Sequence, residues 1–290
     1  MQPRTGGLVF EVEERKDVEY AVHDGERMLG DLYLPRRNGP GPAVIAVHGG
    51  AWGGGTSAHY RYWGPYLATR GITLFSINYR LCQPDRPTYP QAVHDVAAAV
   101  QFVRGSASEL GIDPDRIALM GDSAGGHLSS LIALAGEEPL FRSPYDGPYS
   151  SVSARVKAVV SVYGVYDLIA HWHRDDLLFR MREPRGIEKF LGRSPLDDRR
   201  IYFDGSPLSY ATVRPDPPAF LLVWGQEDEL VDYATQAMPF RDALRRALYY
   251  VRTFVIPGAG HFWMTEPVDE PGTYTSLLAP RLLRFLDERL

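Results

Sequence analysis

Ser123 stands at the centre of Gly121-Asp122-Ser123-Ala124-Gly125-Gly126, directly after the apolar run Ile117-Ala118-Leu119-Met120. A serine hydroxyl is a poor nucleophile in water. It needs a base to take its proton and donors to hold the negative charge that its attack creates. The pattern G-x-S-x-G between a buried-strand run and a helical run predicts a sharp elbow that lifts the serine oxygen above a sheet, with glycines that tolerate the required backbone angles. Val44-Ile45-Ala46-Val47 predicts a second buried strand, ending in His48-Gly49-Gly50-Ala51-Trp52-Gly53-Gly54-Gly55. Small residues there leave backbone N–H groups open to a ligand. With the N–H after the nucleophile, they form the oxyanion hole of an acyl-transfer site. The alternatives are a flexible turn or a phosphate loop. A phosphate loop would place Lys-Ser/Thr after its last glycine, whereas Thr56 and Ser57 follow Gly55 without a lysine.

An acid and a base are expected downstream. Phe220 to Trp224 reads as a strand followed by Gly225-Gln226-Glu227-Asp228, and Val251 to Ile256 as a last strand followed by Pro257-Gly258-Ala259-Gly260-His261. Loops after parallel strands gather at one sheet edge, where open α/β folds place their catalytic groups. His261 would accept the Ser123 proton, and Asp228 would orient the imidazole. Asp167, after the run Val156 to Val162, competes for the acid role, while Glu227 and Asp232 read as solvated neighbours. His48 and His127 read as structural, and Asp122 as a brace between loops. His171-Trp172-His173 hints at a metal pair, but no third ligand stands at a useful spacing, so no metal is expected.

Positioning these residues requires alternating strands and helices, the signature of a mostly parallel sheet covered on both faces. Val18 to Val22 and Arg27 to Leu34 predict an antiparallel pair turning at Asp24-Gly25. Ala43 to His48 and Ile72 to Tyr79 predict strands, and Tyr60 to Arg70 a helix between them. After Pro90, the spacing of Val93, Val96, Val100 and Val103 predicts a helix with one apolar face. Ala124 to Ala135, Asp232 to Arg246 and Tyr274 to Leu290 supply further helices. Two segments break the alternation. Gly136 to Ala154 is turn-rich and reads as a surface loop. The stretch 167–218 is too long for a simple crossover and predicts a lid or substrate wall, the plainer alternative being a crossover helix with extra loop. It carries His171, Trp172, His173, Met181 and an arginine set, Arg174, Arg180, Arg182 and Arg185.

These segments resemble the α/β-hydrolase superfamily, and most of all its esterase branch with a His-Gly-Gly oxyanion motif, the hormone-sensitive-lipase-like carboxylesterases. The resemblance runs from about Asp31 to the C-terminus. It rests on His48-Gly49-Gly50-Ala51-Trp52, Asn78-Tyr79-Arg80-Leu81, Gly121 to Gly126, Gly225-x-x-Asp228-x-x-Val231 and Gly258-x-Gly260-His261. It implies an eight-stranded sheet with an insert over the active site and Ser123, Asp228 and His261 as a triad. It also implies oxyanion donors on Gly50, Ala51 and Ala124, and no cofactor. Ala51 replaces the usual third glycine, but its N–H is the working group.

At 290 residues, with 44% hydrophobic and 23% charged, the chain suits one large α/β domain spanning 1–290. A net charge of −5 argues against nucleic acid or an anionic membrane as a partner. Cys82 is alone, and the N-terminal residues show no apolar signal core, so a cytoplasmic location is expected. The expected partner is a small-molecule ester, with a homodimer left open. Trp52, Trp172, Phe262 and Trp263, on segments near the site, predict an aromatic wall that favours small or aromatic acyl esters. The superfamily also holds arylformamidases of the kynurenine-pathway kind, acyl hydrolases and transferases of secondary metabolism, and non-catalytic binding proteins. The last usually lack a triad residue, and all three are present here.

Overall fold

The computed structural model describes residues 9–179 and 186–290. Among them eight strands form one sheet: β1 (Val12–His23), β2 (Glu26–Pro35), β3 (Gly41–Val47), β4 (Thr73–Ile77), β5 (Ile112–Asp122), β6 (Ala158–Val162), β7 (Ala219–Gly225) and β8 (Val251–Ile256). Their order across the sheet is β1-β2-β4-β3-β5-β6-β7-β8. β2 runs antiparallel to both β1 and β4, and every other neighbouring pair is parallel. Parallel strands need crossovers, which explains the helices: α1 (Trp63–Ala68), α2 (Gln91–Gly105), α3 (Ala107–Leu110), α4 (Ala124–Ala135), α5 (Leu168–Phe179), α6 (Gly186–Leu191), α7 (Arg199–Gly205), α8 (Ala237–Arg246) and α9 (Tyr274–Arg289).

Side chains alternate along each strand, so one strand feeds two cores. Ile45 and Val47 of β3 join Val93, Val96 and Val100 of α2, Leu131 of α4 and Phe240 of α8. Val44 and Ala46 point to the opposite face, against Trp63 and Leu67 of α1 and Leu282 and Phe285 of α9. Burial on both faces accounts for the unbroken apolar runs in the central strands.

Two helices start later than the sequence pattern predicts. The expected helix over 60–70 begins only at Trp63, after a 3₁₀ turn at Ser57–Tyr60, and the one over 232–246 begins at Ala237. Proline favours both starts, although α9 accommodates Pro280 in its interior. Pro65 and Pro239 each fall at the third helical position, where the missing N–H costs nothing; an earlier start would put the ring inside the helix, against a carbonyl one turn back. The turn-rich stretch 136–154 is irregular apart from a 3₁₀ turn at Pro139–Phe141. Between β6 and β7 the chain carries α5, α6, α7 and a 3₁₀ turn at Pro207–Tyr210. Arg180, Met181, Arg182 and Arg185 lie outside the described residues. No helix among the described residues is long and apolar enough to cross a membrane.

Candidate active site

β5 ends at Asp122 and α4 starts at Ala124, which leaves Ser123 alone to make the turn, at φ 51° and ψ −119°. That strain is held from both sides. The Ser123 N–H donates to the Val162 carbonyl at 2.9 Å, and the Ser123 carbonyl accepts from His127 N–H at 3.0 Å. The glycines are steric requirements: a Cβ at Gly121 would run into the Gly125 carbonyl, and one at Gly125 into the Val47 carbonyl. Ser123 is thus presented at the carboxyl edge of the central strand.

Two other strands deliver their loops to the same edge. Beyond β7, Asp228 is buried and splits its carboxylate between two tasks. Oδ1 accepts from the amides of Leu230 (3.0 Å) and Val231 (2.9 Å), which fixes the side chain. Oδ2 accepts from His261 Nδ1 at 2.7 Å. Nδ1 therefore carries the ring proton, and Nε2 is the acceptor, 3.1 Å from Ser123 Oγ. The imidazole rests on the Tyr163 ring, with centroids 4.3 Å apart, and Tyr163 in turn accepts the Met264 amide at 3.2 Å. The His261 loop lies close over the end of β7, where a Cβ on Gly225 would meet the Ala259 carbonyl. Asp167 takes no part in this chain. Its Oδ1 accepts from Ile169 (2.9 Å) and Ala170 (3.0 Å) at the start of α5, a capping arrangement.

The loop after β3 turns back through three successive positive φ angles, 121° at Gly50, 50° at Ala51 and 58° at Trp52. The Gly50 carbonyl closes the turn by accepting from Gly53 (3.1 Å) and Gly54 (3.0 Å). Gly50, Ala51 and Ala124 line one cavity with Ser123 and His261. Asp122 ties this loop to the elbow: Oδ1 accepts from Gly49 N–H at 3.2 Å and Tyr60 O–H at 2.8 Å, and Oδ2 lies 3.1 Å from His59 Nε2. Burial alone would raise the Asp122 carboxyl, but His59 and then Tyr60 outweigh it and hold the group below its ordinary range. His48 stacks on Tyr79 with centroids 4.4 Å apart, and the Tyr79 hydroxyl donates to the His48 carbonyl at 2.9 Å. Burial pushes the His48 imidazole down to about 4.

The cavity measures about 420 Å³. Val165, Ile187, Leu230, Val231 and Phe262 give it apolar walls, and His171 and Asp175 add polar groups. The aromatic wall is smaller than the sequence predicts. Trp52 lines the cavity but is nearly buried, stacked on Phe190 of α6 with centroids 4.9 Å apart and donating from Nε1 to His127 Nδ1 at 3.1 Å. Phe262 stands at the cavity, 68% exposed. Trp172 and Trp263 are not among its lining residues. Trp172 turns toward Glu188 of α6, donating at 2.7 Å, and Trp263 packs edge-on against Tyr163 at 5.2 Å. Proximity in sequence placed them near the site without fixing where their rings face. Sequence reasoning passed over Val165, Ile187 and Asp175, and Tyr163 beneath the imidazole. Only the four-residue step from His171 to Asp175, one face of a helix, carried a signal.

Residues 30–244 match the BD-FAE family model, most of the chain. The chain belongs to the BD-FAE family. Over 243 residues it is 35% identical to a Mycobacterium tuberculosis protein named "Probable carboxylic ester hydrolase LipM", covering 79% of this chain and 53% of that protein. Esterase LipQ of the same organism is 32% identical over 242 residues, 81% of this chain and 53% of its own. The chain thus spans about half the length of these curated relatives. In structure it resembles Thermogutta terrifontis esterase 2 phosphonylated by cyclosarin, with a TM-score of 0.74, 23% identity, and coverage of 96% of this chain and 94% of that one. At that identity the likeness speaks for the fold, and the eight-stranded, mostly parallel sheet is that of the α/β-hydrolases.

Proposed function

We propose that this BD-FAE protein is a serine carboxylesterase acting on esters of small acyl groups. The observation that carries the reading is the unbroken chain of hydrogen bonds from Asp228 through His261 to Ser123, at 2.7 and 3.1 Å. Ser123 Oγ attacks the ester carbonyl as His261 Nε2 takes its proton, and Asp228 stabilises the imidazolium that forms. The N–H groups of Gly50, Ala51 and Ala124 receive the oxyanion. His261 then passes its proton to the departing alcohol, and a water activated by the same nitrogen releases the acid. No cofactor enters these steps.

The relatives named as ester hydrolases support the activity. The cavity volume supports a small substrate, since about 420 Å³ lies within the range of small-molecule sites. We assign α5 and α6, within the stretch 167–218, as the wall over this site and read the chain as a single domain. Gly186 of α6 packs on the loop after β3, its would-be Cβ lying 3.3 Å from the Ala51 Cβ, and Ile187 lines the cavity.

A fluorophosphonate probe tests the reading, because it labels only an activated serine. Rapid labelling lost in Ser123→Ala, together with hydrolysis of p-nitrophenyl acetate that falls roughly 10⁴-fold or more in that variant, is the expected result. Labelling that persists in Ser123→Ala would overturn it.

A further inference from the structure

Ser123 follows β5 and His261 follows β8, and β6 and β7 lie between them in the sheet. With about 4.8 Å from each strand to the next, the ends of β5 and β8 stand roughly 14 Å apart. The His261 loop must therefore reach back across two strand ends to bring Nε2 to Ser123 Oγ. Asp228, after β7, holds the Nδ1 side of the ring. One hydrogen bond fixes a point, and the ring can still rotate about it.

The end of β6 supplies the missing constraint. Val162 and Tyr163 are consecutive, and each holds one partner of the Ser123–His261 bond. The Val162 carbonyl accepts from Ser123 N–H at 2.9 Å, and the Tyr163 ring lies under the imidazole with centroids 4.3 Å apart. Tyr163 is itself fixed at three points. Its N–H donates to the Val223 carbonyl of β7 at 2.6 Å, its hydroxyl accepts from the Met264 amide at 3.2 Å, and Trp263 packs edge-on against its ring. The strand end is also locked to the elbow helix. Ser161 Oγ donates to the Gly126 carbonyl at 3.2 Å, and a Cβ on Gly126 would lie 3.0 Å from the Gly164 Cα.

Tyr163 adopts φ 37°, in the left-handed region that strains a bulky side chain. Such strain persists only where the surroundings enforce it, and it collects at functional sites. Here it belongs to the conformation that carries the ring beneath His261. Building on the carboxylesterase reading, we propose that Tyr163 is a positioning residue whose ring sets the plane of His261 against Ser123, so that the dipeptide Val162-Tyr163 registers the base to the nucleophile. Tyr163 is not among the residues that line the cavity, so it acts through the imidazole and not on the substrate. The same imidazole serves acylation and deacylation. Both steps slow together when the ring is lost, which lowers kcat and leaves KM in place.

The test compares Tyr163→Leu, which removes the ring, with Tyr163→Phe, which keeps it, in steady-state kinetics on p-nitrophenyl acetate. Tyr163→Leu is expected to lower kcat about 10²-fold, the cost of a reacting group displaced by about 1 Å, with KM within about twofold. Tyr163→Phe should keep kcat within about threefold. In a His261→Ala background the ring has nothing to position, so adding Tyr163→Leu should change the residual rate by less than about twofold. Circular dichroism and a cooperative melt report which variants fold, and Tyr163→Met stands in if Tyr163→Leu does not. Wild-type kcat in a folded variant without the ring, a loss in Tyr163→Phe as deep as in Tyr163→Leu, or a further loss on the His261→Ala background overturns the proposal. Failure of both variants without the ring to fold also overturns it, since Tyr163 would then serve folding. The carboxylesterase reading survives all of these while a fluorophosphonate labels wild-type Ser123; an unlabelled wild type removes both.

Discussion

His261 lies 138 residues beyond Ser123 and 33 beyond Asp228, yet the three side chains meet within hydrogen-bond distance. On the proposed mechanism, removing Ser123 or His261 disables the same proton transfer. His261→Ala is therefore expected to lower kcat by roughly 10⁴-fold, about as much as removing Ser123. Asp228→Asn keeps the shape but can offer its N–H₂ to Nδ1, favouring the wrong tautomer, and is expected to cost about 10³-fold or more. Asp167→Asn keeps an Oδ1 that can still cap α5, so kcat should stay within about tenfold and stability within about 1 kcal/mol. Steady-state kinetics on p-nitrophenyl acetate separate these outcomes. A crippling Asp167→Asn beside a mild Asp228→Asn would reverse the assignment of the acid. At this scale the sequence was informative wherever a residue followed a strand and a glycine, since that pattern alone brings it to the sheet edge. It favoured Asp228 and kept Asp167 as a competitor: each carboxylate accepts from the amides two and three residues on, and only the bond from His261 to Asp228, which no motif records, tells them apart. His171 and His173 looked like a pair in sequence, but a helix separates them: the first is buried and the second exposed.

Among the elements, the strands were legible because burial on both faces leaves continuous apolar runs, and the helices because of their apolar stripes. The insert was not, since its helices gain their stability from what they cover. Phe190 of α6 shows this. It is fully buried, stacks on Trp52, and offers its carbonyl to the amides of Thr88 (3.2 Å) and Tyr89 (3.1 Å). Trp52 in turn reaches His127 on α4, whose Nε2 donates to the Gly205 carbonyl at the end of α7 at 2.8 Å. One aromatic thus joins the loop after β3 to the elbow helix and the insert. Phe190→Ala is expected to cost about 3–5 kcal/mol in denaturant unfolding. It should also raise KM, because Trp52 loses the ring that holds it against the cavity. Unchanged stability would mean that α6 is not packed as described.

For the molecule as a whole, buried histidines that must stay neutral couple the fold to pH. Burial brings both His48 and His127 down to about 4, so each is uncharged in the folded protein at neutral pH. In the unfolded chain an imidazole titrates near 6.5. Between those values the unfolded state binds more protons than the folded state, so stability falls as pH drops from about 6.5 toward 4. Asp122, whose carboxyl is held below its ordinary range, pushes the same way at the acidic end, since protonating it releases the Gly49 and Tyr60 hydrogen bonds. At pH 5 the linkage is worth on the order of 2 kcal/mol for each histidine. The melting temperature is therefore expected to drop by several degrees between pH 7.5 and pH 5. Part of that slope should disappear in His127→Gln, which cannot take up a proton. A melting temperature that is flat over this interval, or a slope unchanged in His127→Gln, would show that His127 is not the neutral, doubly bonded imidazole between Trp52 and Gly205.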